Sequence, residues 1–497
     1  MESDFDVLII GAGLSGIAMA CHLTKECPTK RVAILERRRA IGGTWDLFRY
    51  PGIRSDSDMV SFAYSFRPWR DHKVLADGPS IRQYIEDAAR DHGVDRLIRF
   101  GTMIEGASWS SEHRRWTVSA SDEASGDKLS FTCKQLVSCT GYYNHDHGYL
   151  PKFPGEERFK GLRIHPQQWP EDLDYSGKRI LVIGSGATAV TLIPAMADKA
   201  QHITMLQRSP SYVMTVPGYD RLAAALAHVL PARWVHGIAR WRNLHIQQLI
   251  YKSARRWPRR VRSWLLNHVQ KQVGSEFDMR HFTPKYNPWD ERLCAVPDGD
   301  LFRVIREGKA SVVTDQIKTF TENGILLQSG KSLEADIIVT ATGLQMQSLG
   351  GMRLTVDGEK VEFGKLMTYK SVLLQGIPNF SYLFGYTNAP WTLKVEMSAQ
   401  YLCRLWQHMD EVGCDVMTAR APAGEMMTES ILASLQSGYV QRSQSILPRQ
   451  GRSLPWRVLN NLKTDRTMLL RDPVTDTALE LSGPGKATAA PVPRRVA

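Results

Sequence analysis

Two stretches of the chain share one rhythm: an unbroken apolar run, a glycine-rich loop, a segment of helical spacing, then a second apolar run. In the first, Val7-Leu8-Ile9-Ile10 feeds Gly11-Ala12-Gly13-Leu14-Ser15-Gly16, and a helix is predicted over 13–24. Arg31-Val32-Ala33-Ile34-Leu35-Glu36 then closes the unit on an acid. In the second, Arg179-Ile180-Leu181-Val182-Ile183 feeds Gly184-Ser185-Gly186-Ala187-Thr188-Ala189, followed by a predicted helix to about Ala197 and a strand over 202–206. Unbroken apolar runs of this length suit parallel strands covered on both faces. A glycine loop between strand and helix is the phosphate-binding turn of a βαβ unit. One such loop is weak testimony, but two in their proper context are not. The predicted class is α/β, with two Rossmann-like dinucleotide-binding domains.

Two further apolar runs end alike, Leu136-Val137-Ser138-Cys139-Thr140-Gly141 and Asp336-Ile337-Ile338-Val339-Thr340-Ala341-Thr342-Gly343. They are expected to bracket an inserted second nucleotide domain over 144–335, with a helical insertion at about 218–280. The first domain would then be discontinuous, over 1–143 and 336–482. The Pro-, Ala- and Arg-rich tail over 483–497 is expected to be disordered.

A chain of 497 residues is too long for one core and fits two or three domains. No window reaches the roughly 18 uncharged apolar residues that a spanning helix needs. The N-terminus enters a strand within a few residues and lacks a basic leader, so no secretory signal is expected. Seven cysteines, at 21, 27, 133, 139, 294, 403 and 414, show no C-x-x-C pair and no zinc spacing. That pattern fits reduced thiols and a cytoplasmic setting.

The net charge of +12 gathers partly in 233–271, which holds Arg240, Arg242, Arg255, Arg256, Arg259, Arg260, Arg262 and several tryptophans. Two readings stand for this segment. It is a solvated helical face with buried aromatics, or a basic amphipathic run lying peripherally on the inner face of the cell membrane. No recognised nucleic-acid module accompanies the charge.

The two units end on different residues. Glu36 stands twenty residues beyond Gly16, where a carboxylate accepts hydrogen bonds from ribose hydroxyls and repels a 2′-phosphate, so the first site fits FAD. The second unit has no acid there. Gln207-Arg208-Ser209-Pro210 comes after its strand, and an arginine makes a paired contact to phosphate, so that site favours NADPH. Disulfide reductases carry two redox cysteines after the first unit. Here Gly42-Gly43-Thr44-Trp45-Asp46-Leu47-Phe48 has none, which excludes dithiol chemistry at that place.

Between the loops stands Phe159-x-Gly161-x-x-x-His165-x-x-x-Trp169-Pro170. At every defined position it resembles the fingerprint of flavin-dependent Baeyer–Villiger monooxygenases. Gly43-x-Trp45-x-x-x-x-Tyr50-Pro51-Gly52-x-x-x-Asp56 is similar to that family's second signature. Asn287-Pro288-Trp289-Asp290-Glu291-Arg292-Leu293-Cys294 resembles the segment carrying its active-site arginine. The runs GGTWDLFRYPGIRSDSD, HPQQWPEDLDY, VIGSGATAVTL, MLQRSPSY and YTNAPWTLK extend the likeness over about residues 4–470, to the group of mycobacterial ethionamide-activating enzymes and their paralogues. His145 and Pro390 depart from that pattern, at positions expected to shape a substrate pocket.

The resemblance implies that NADPH reduces FAD and that dioxygen then gives a C4a-peroxyflavin, which inserts one oxygen atom into a ketone. Oxidation of sulfides and thioamides is expected beside it. Arg292 is the implied catalytic cation, stabilising anionic oxygen, and Asp56 is implied to orient it. FAD contacts are implied for Gly11, Gly13, Ser15, Gly16, Glu36, Thr44, Trp45, Asp46, Leu47, Arg54, Ser55, Asp56 and Ile104. NADPH contacts are implied for Ile183, Gly184, Ser185, Gly186, Ala187, Thr188, Ala189, Gln207 and Arg208. Phe159, Gly161, His165 and Trp169 are expected in a linker, as a hinge that couples movement of the NADPH domain to catalysis. The alternative is a flavin monooxygenase that oxygenates only sulfur or nitrogen, because such enzymes share the Phe-x-Gly-x-x-x-His frame. The long insertion and abundant aromatics lead us to expect a bulky, apolar, lipid-derived ketone.

Overall fold

The computed structural model describes residues 4–483 except 292, 434 and 436. Strand β1 (Phe5–Ile10) lies between β2 (Val32–Leu35) and β3 (Lys128–Ser138), parallel to both. Val7, Leu8 and Ile9 are fully buried, which is why the run is unbroken rather than alternating. Helix α1 (Leu14–Glu26) springs from the first glycine loop, and the short helix α2 (Thr44–Leu47) follows β2. An antiparallel meander, Thr102–Ser110 and Arg115–Asp122, widens the sheet on the far side of β3.

The second sheet is wholly parallel. Its strands are β4 (Leu162–Ile164), β5 (Arg179–Ile183), β6 (His202–Gln207), β7 (Ala310–Thr314) and β8 (Ile337–Thr340), in the order β7-β6-β5-β8-β4. Helix α3 (Ala187–Met196) springs from the second loop. The stretch 159–170, expected in a linker, instead supplies the edge strand β4, whose Leu162, Arg163 and Ile164 pair with Ile337, Ile338 and Val339. Three residues with a polar one in the middle are too short a pattern to announce a strand.

The two sheets repeat one close approach. A Cβ added to Gly11 would stand 2.8 Å from the carbonyl oxygen of Cys139, and one on Gly184 would stand 2.3 Å from that of Ala341. Both glycines have positive φ, 100° and 133°, so only glycine satisfies space and backbone together. The runs 136–141 and 336–343 therefore occupy equivalent places, each beside the first strand of its unit.

Helices α4 (Ala232–Arg256) and α5 (Pro258–Val273) follow β6 in the chain, with α4 packed on the short helix Met59–Phe62. They meet at Trp257, with φ −130° and ψ 58°, because Pro258 disfavours helical geometry in the residue before it. Helix α4 buries only Val235, Ala239 and Ala254. The reading with buried aromatics fails here: Trp234, Trp241, Trp257 and Trp264 are each more than half exposed. No helix among the described residues is long and apolar enough to cross a membrane. Helix α6 (Asp300–Arg306) precedes β7, and α7 (Trp391–Val412) returns to pack along α1.

Candidate active site

The first loop opens into a cavity of about 1740 Å³, larger than the few hundred to ~1000 Å³ typical of a single small ligand. Gly11, Gly13, Ser15, Glu36, Thr44, Trp45, Ser55, Asp56 and Ile104 line it. Glu36 is buried, and its two oxygens accept the backbone N–H groups of Ala12 and Arg38, each at 2.7 Å. Burial pushes its pKa up, and those two donors work against the rise. Each oxygen keeps a further lone pair for a ribose hydroxyl.

Four residues implied for the same nucleotide lie elsewhere. Gly16 packs on Gly11 beneath the loop. Asp46 is buried among three guanidinium groups, from Arg38 (2.7 Å), Arg49 (2.9 Å) and Arg82 (3.2 Å), and it secures α2 rather than facing the cavity. Leu47 packs against the core of the second sheet, which Phe48 and Tyr50 also enter. Arg54 turns away to Asp300 at the start of α6, at 2.6 Å. Asp56 is exposed to the cavity, with Ser57 donating to it at 3.4 Å.

The segment that resembles the family's arginine-bearing loop reaches the same space. Trp289, Glu291 and Leu293 line the cavity, and Trp289 holds a φ of 68°, a conformation that is costly for an aromatic residue. Burial raises the pKa of Glu291, while the Arg208 charge lowers it. Arg292 itself lies outside the described residues.

The second loop is built differently. Ile183 ends β5 in the core, Gly184 abuts Ala341, and Ser185 Oγ donates to the carbonyl of Ser209 at 3.0 Å. Gly186 and Ala187 are exposed at the start of α3, where backbone N–H groups lack helical partners. Thr188 lies beside Tyr50 of the RYPG segment, and Ala189 is fully buried. Gln207 points inward, donating to His281 O (2.7 Å) and Thr314 Oγ1 (2.8 Å), so it braces β6 and is not presented to a ligand. Arg208, one residue on, is exposed.

Across residues 5–375 the chain matches the family described as flavin-binding monooxygenase-like. The chain belongs to this family. MymA of Mycobacterium tuberculosis is 56% identical over 494 residues, covering 99% of this chain and 100% of that one. The FAD-containing monooxygenase EthA of the same organism is 49% identical over 484 residues, covering 97% and 98%. Among solved structures, an oxidised steroid monooxygenase bound to NADP has a TM-score of 0.76 at 22% identity, covering 96% of this chain and 99% of that one. Cyclohexanone monooxygenase from Rhodococcus sp. Phi1, bound to NADP+, has a TM-score of 0.74 at 20% identity with the same coverage. At such identities these two show the shared fold.

In this flavin-binding monooxygenase-like chain, the fingerprint residues brace the second sheet. Phe159 packs with Phe320, Gly161 lies against the carbonyl of Asp336, and Trp169 enters the second core. His165 bridges to Gly343. The cavity also has walls that sequence reasoning passed over. Trp391 Nε1 donates to Ser15 Oγ at 2.9 Å, and its ring stacks on Tyr142 at 5.3 Å. Tyr386 donates to the buried Asp465 at 2.6 Å, with Lys394 beside it at 3.6 Å. Ile246, Ile250 and Tyr251 contribute from α4. The run YTNAPWTLK was the available signal for Tyr386 and Trp391. His145 and Pro390, the two departures, both line the cavity.

Proposed function

We propose that this protein is an NADPH- and dioxygen-dependent FAD monooxygenase that inserts one oxygen atom into apolar ketones and also oxidises sulfides and thioamides. One observation carries the reading. A single cavity runs from Glu36 and the first loop, past Trp45 and Asp56, to the loop holding Trp289, Glu291 and Leu293. A ligand of the loop therefore shares its space with Asp56 and with the segment that carries Arg292.

The residues suit the two nucleotides. A cradle that a Cβ on Gly11 would fill, the free N–H groups opening α1, and the Glu36 carboxylate fit FAD. Exposed Arg208 in place of an acid fits the 2′-phosphate of NADPH. On this reading residues 1–143 and 336–482 hold FAD, and residues 144–335 hold NADPH. Bound FAD supplies the electron transfer and oxygen activation that side chains lack.

The rest falls to the chain. The N-terminus of α1 binds pyrophosphate. Asp56 orients Arg292, whose permanent charge stabilises the negative charge developing on the substrate's carbonyl oxygen. Tyr142 and Trp391 keep water from the reacting atoms, and Ile246, Ile250 and Tyr251 favour a bulky apolar substrate.

Incubation with NADPH, dioxygen, one long-chain ketone and one alkyl sulfide tests the proposal. Ester and sulfoxide are the expected products. Sulfoxide without ester would make the protein a heteroatom oxygenase, and preference for a small hydrophilic ketone would remove the substrate class.

A further inference from the structure

The helical insertion concentrates charge of one sign. Residues 221–275 contain eleven Lys and Arg and no Asp or Glu, in a chain whose net charge is +12. Within it, α4 buries only three small or medium apolar residues, Val235, Ala239 and Ala254, and polar side chains make much of its attachment. Asn243 and Gln247 donate to the two oxygens of the buried Asp58 at 2.8 and 2.5 Å. Arg240 donates to the carbonyl of Ala63 and Arg242 to Asp220, both at 3.1 Å. Polar side chains thus hold the helix to the protein.

Four large apolar side chains of α4 face away. Trp234, Ile238, Trp241 and Leu249 fall on one stripe of α4 by helical spacing, and they are 58%, 40%, 64% and 66% exposed. Lys252 and Arg256 continue that stripe, exposed, and Arg259 and Arg260 stand exposed just past Trp257. Soluble chains seldom leave so much contiguous apolar surface uncovered. Tryptophans flanked by basic residues, without acids, match a bilayer interface: indoles sit at headgroup depth while the cations meet anionic headgroups. A second copy of this chain would bring a patch of the same charge against it.

The same helix walls the cavity. Ile246 of α4 lines it and is 47% exposed, and Tyr219 lines it and is 49% exposed, so the helix that bears the stripe also bounds the cavity.

We propose that α4 and α5 dock this protein on an anionic phospholipid bilayer, with Trp234, Trp241 and Leu249 in the headgroup–acyl boundary, and that the cavity draws its substrate from that bilayer. The docking stands alone, whereas substrate delivery rests on the ketone-oxygenating reading above.

Flotation of the holoenzyme with phosphatidylglycerol–phosphatidylcholine vesicles, against phosphatidylcholine alone, tests the docking. Binding is expected only with the anionic lipid at low salt. The triple variant Trp234→Ala/Trp241→Ala/Leu249→Ala is expected to lower the partition coefficient at least tenfold. Arg256→Glu/Arg259→Glu/Arg260→Glu is expected to lower it more, since each cation near such a surface contributes about fivefold. The apolar triple variant should turn over a short water-soluble ketone normally, yet lose at least tenfold on a long-chain ketone carried in the vesicles.

Failure of the wild type to float overturns the docking, and so does equal flotation of both variants. A wild-type dimer that the apolar triple variant dissociates, without vesicle binding, would assign the face to a second copy and also overturn it. Vesicle binding with no ketone oxygenation would uphold docking and overturn the catalytic reading beneath delivery. Equal loss on the soluble and the vesicle-borne ketone would overturn delivery alone.

Discussion

The Nε2 of His165 lies 3.2 Å from the carbonyl oxygen of Gly343, while its Nδ1 accepts the backbone N–H of Gln167 at the same distance. An acceptor at Nδ1 leaves the proton on Nε2, so the ring is neutral and donates to Gly343. Burial is the largest influence on His165 and pushes its pKa down, which favours the uncharged ring. The imidazole thereby ties the turn after the edge strand β4 to the turn that leaves β8.

Removing that tie should loosen the second sheet beside the cavity without deleting any cavity-lining group. We expect His165→Ala to raise hydrogen peroxide released per NADPH oxidised severalfold, with FAD content unchanged. Peroxide yield and oxygenated product, measured together, check this. Coupling equal to wild type would count against any role beyond packing.

Arg208 and Gln207 are neighbours with opposite fates, one exposed and one locked into β6. A charge-assisted hydrogen bond contributes about 1.5–3 kcal/mol, which is roughly a ten- to hundredfold effect on affinity. Arg208→Ala should therefore raise KM for NADPH by that factor and leave KM for NADH nearly unchanged. An equal rise for both nucleotides would show that Arg208 does not read the phosphate.

How far the chain could be read in advance depended on where its information lay. Both βαβ units were legible, because strands buried on two faces are unbroken apolar runs and their loops demand glycine at Gly11 and Gly184. Glu36 was legible for the same local reason. Arg54 was not: its partner Asp300 is 246 residues away, and no local pattern announces such a pair. Gln207 followed the same strand end as Arg208, and only the packing of Thr314 and His281 decided that it turns inward. Helix α4 misled most, because periodicity locates an apolar stripe without saying whether protein covers it.

The Arg54–Asp300 pair joins the segment leading to Asp56 with the first turn of α6, and its side chains are 13% and 19% exposed. Breaking a fully buried pair costs about 3–5 kcal/mol, and partial exposure reduces that. Asp300→Ala should cost roughly 1–3 kcal/mol in urea unfolding. The double variant Arg54→Ala/Asp300→Ala should lose less than the sum of the singles. Strict additivity would mean the pair does not act as a unit.

His145 lines the cavity, and its pKa is lowered to about 4, by burial first and then by the Arg38 and Arg37 charges. The unfolded chain takes up that proton near the usual 6.5. Between those values the unfolded state binds more protons, so stability is full above about 6.5 and falls as pH drops toward 4. His145→Gln should flatten part of that fall. Tm recorded at pH 7.5 and pH 5 checks it, and identical slopes for variant and wild type would contradict the account.

The proposed role of Arg292 rests on the residues beside it in the chain. Glu291 and Leu293 share the cavity with Asp56, and Trp289 holds its left-handed backbone two residues before Glu291. Electron transfer from NADPH needs no cation at the carbonyl oxygen, whereas oxygen insertion develops negative charge there. The two half-reactions should therefore separate. In Arg292→Ala, flavin reduction by NADPH should stay within about twofold of wild type, while ester formation falls by about 10²–10³, the usual cost of losing one preorganised donor. Arg292→Lys should recover only part, because an ammonium keeps the charge and loses the planar fork. Stopped-flow absorbance gives the first rate and product chromatography the second. Ester formation at the wild-type rate in Arg292→Ala would falsify the assignment and move the catalytic charge elsewhere in the cavity.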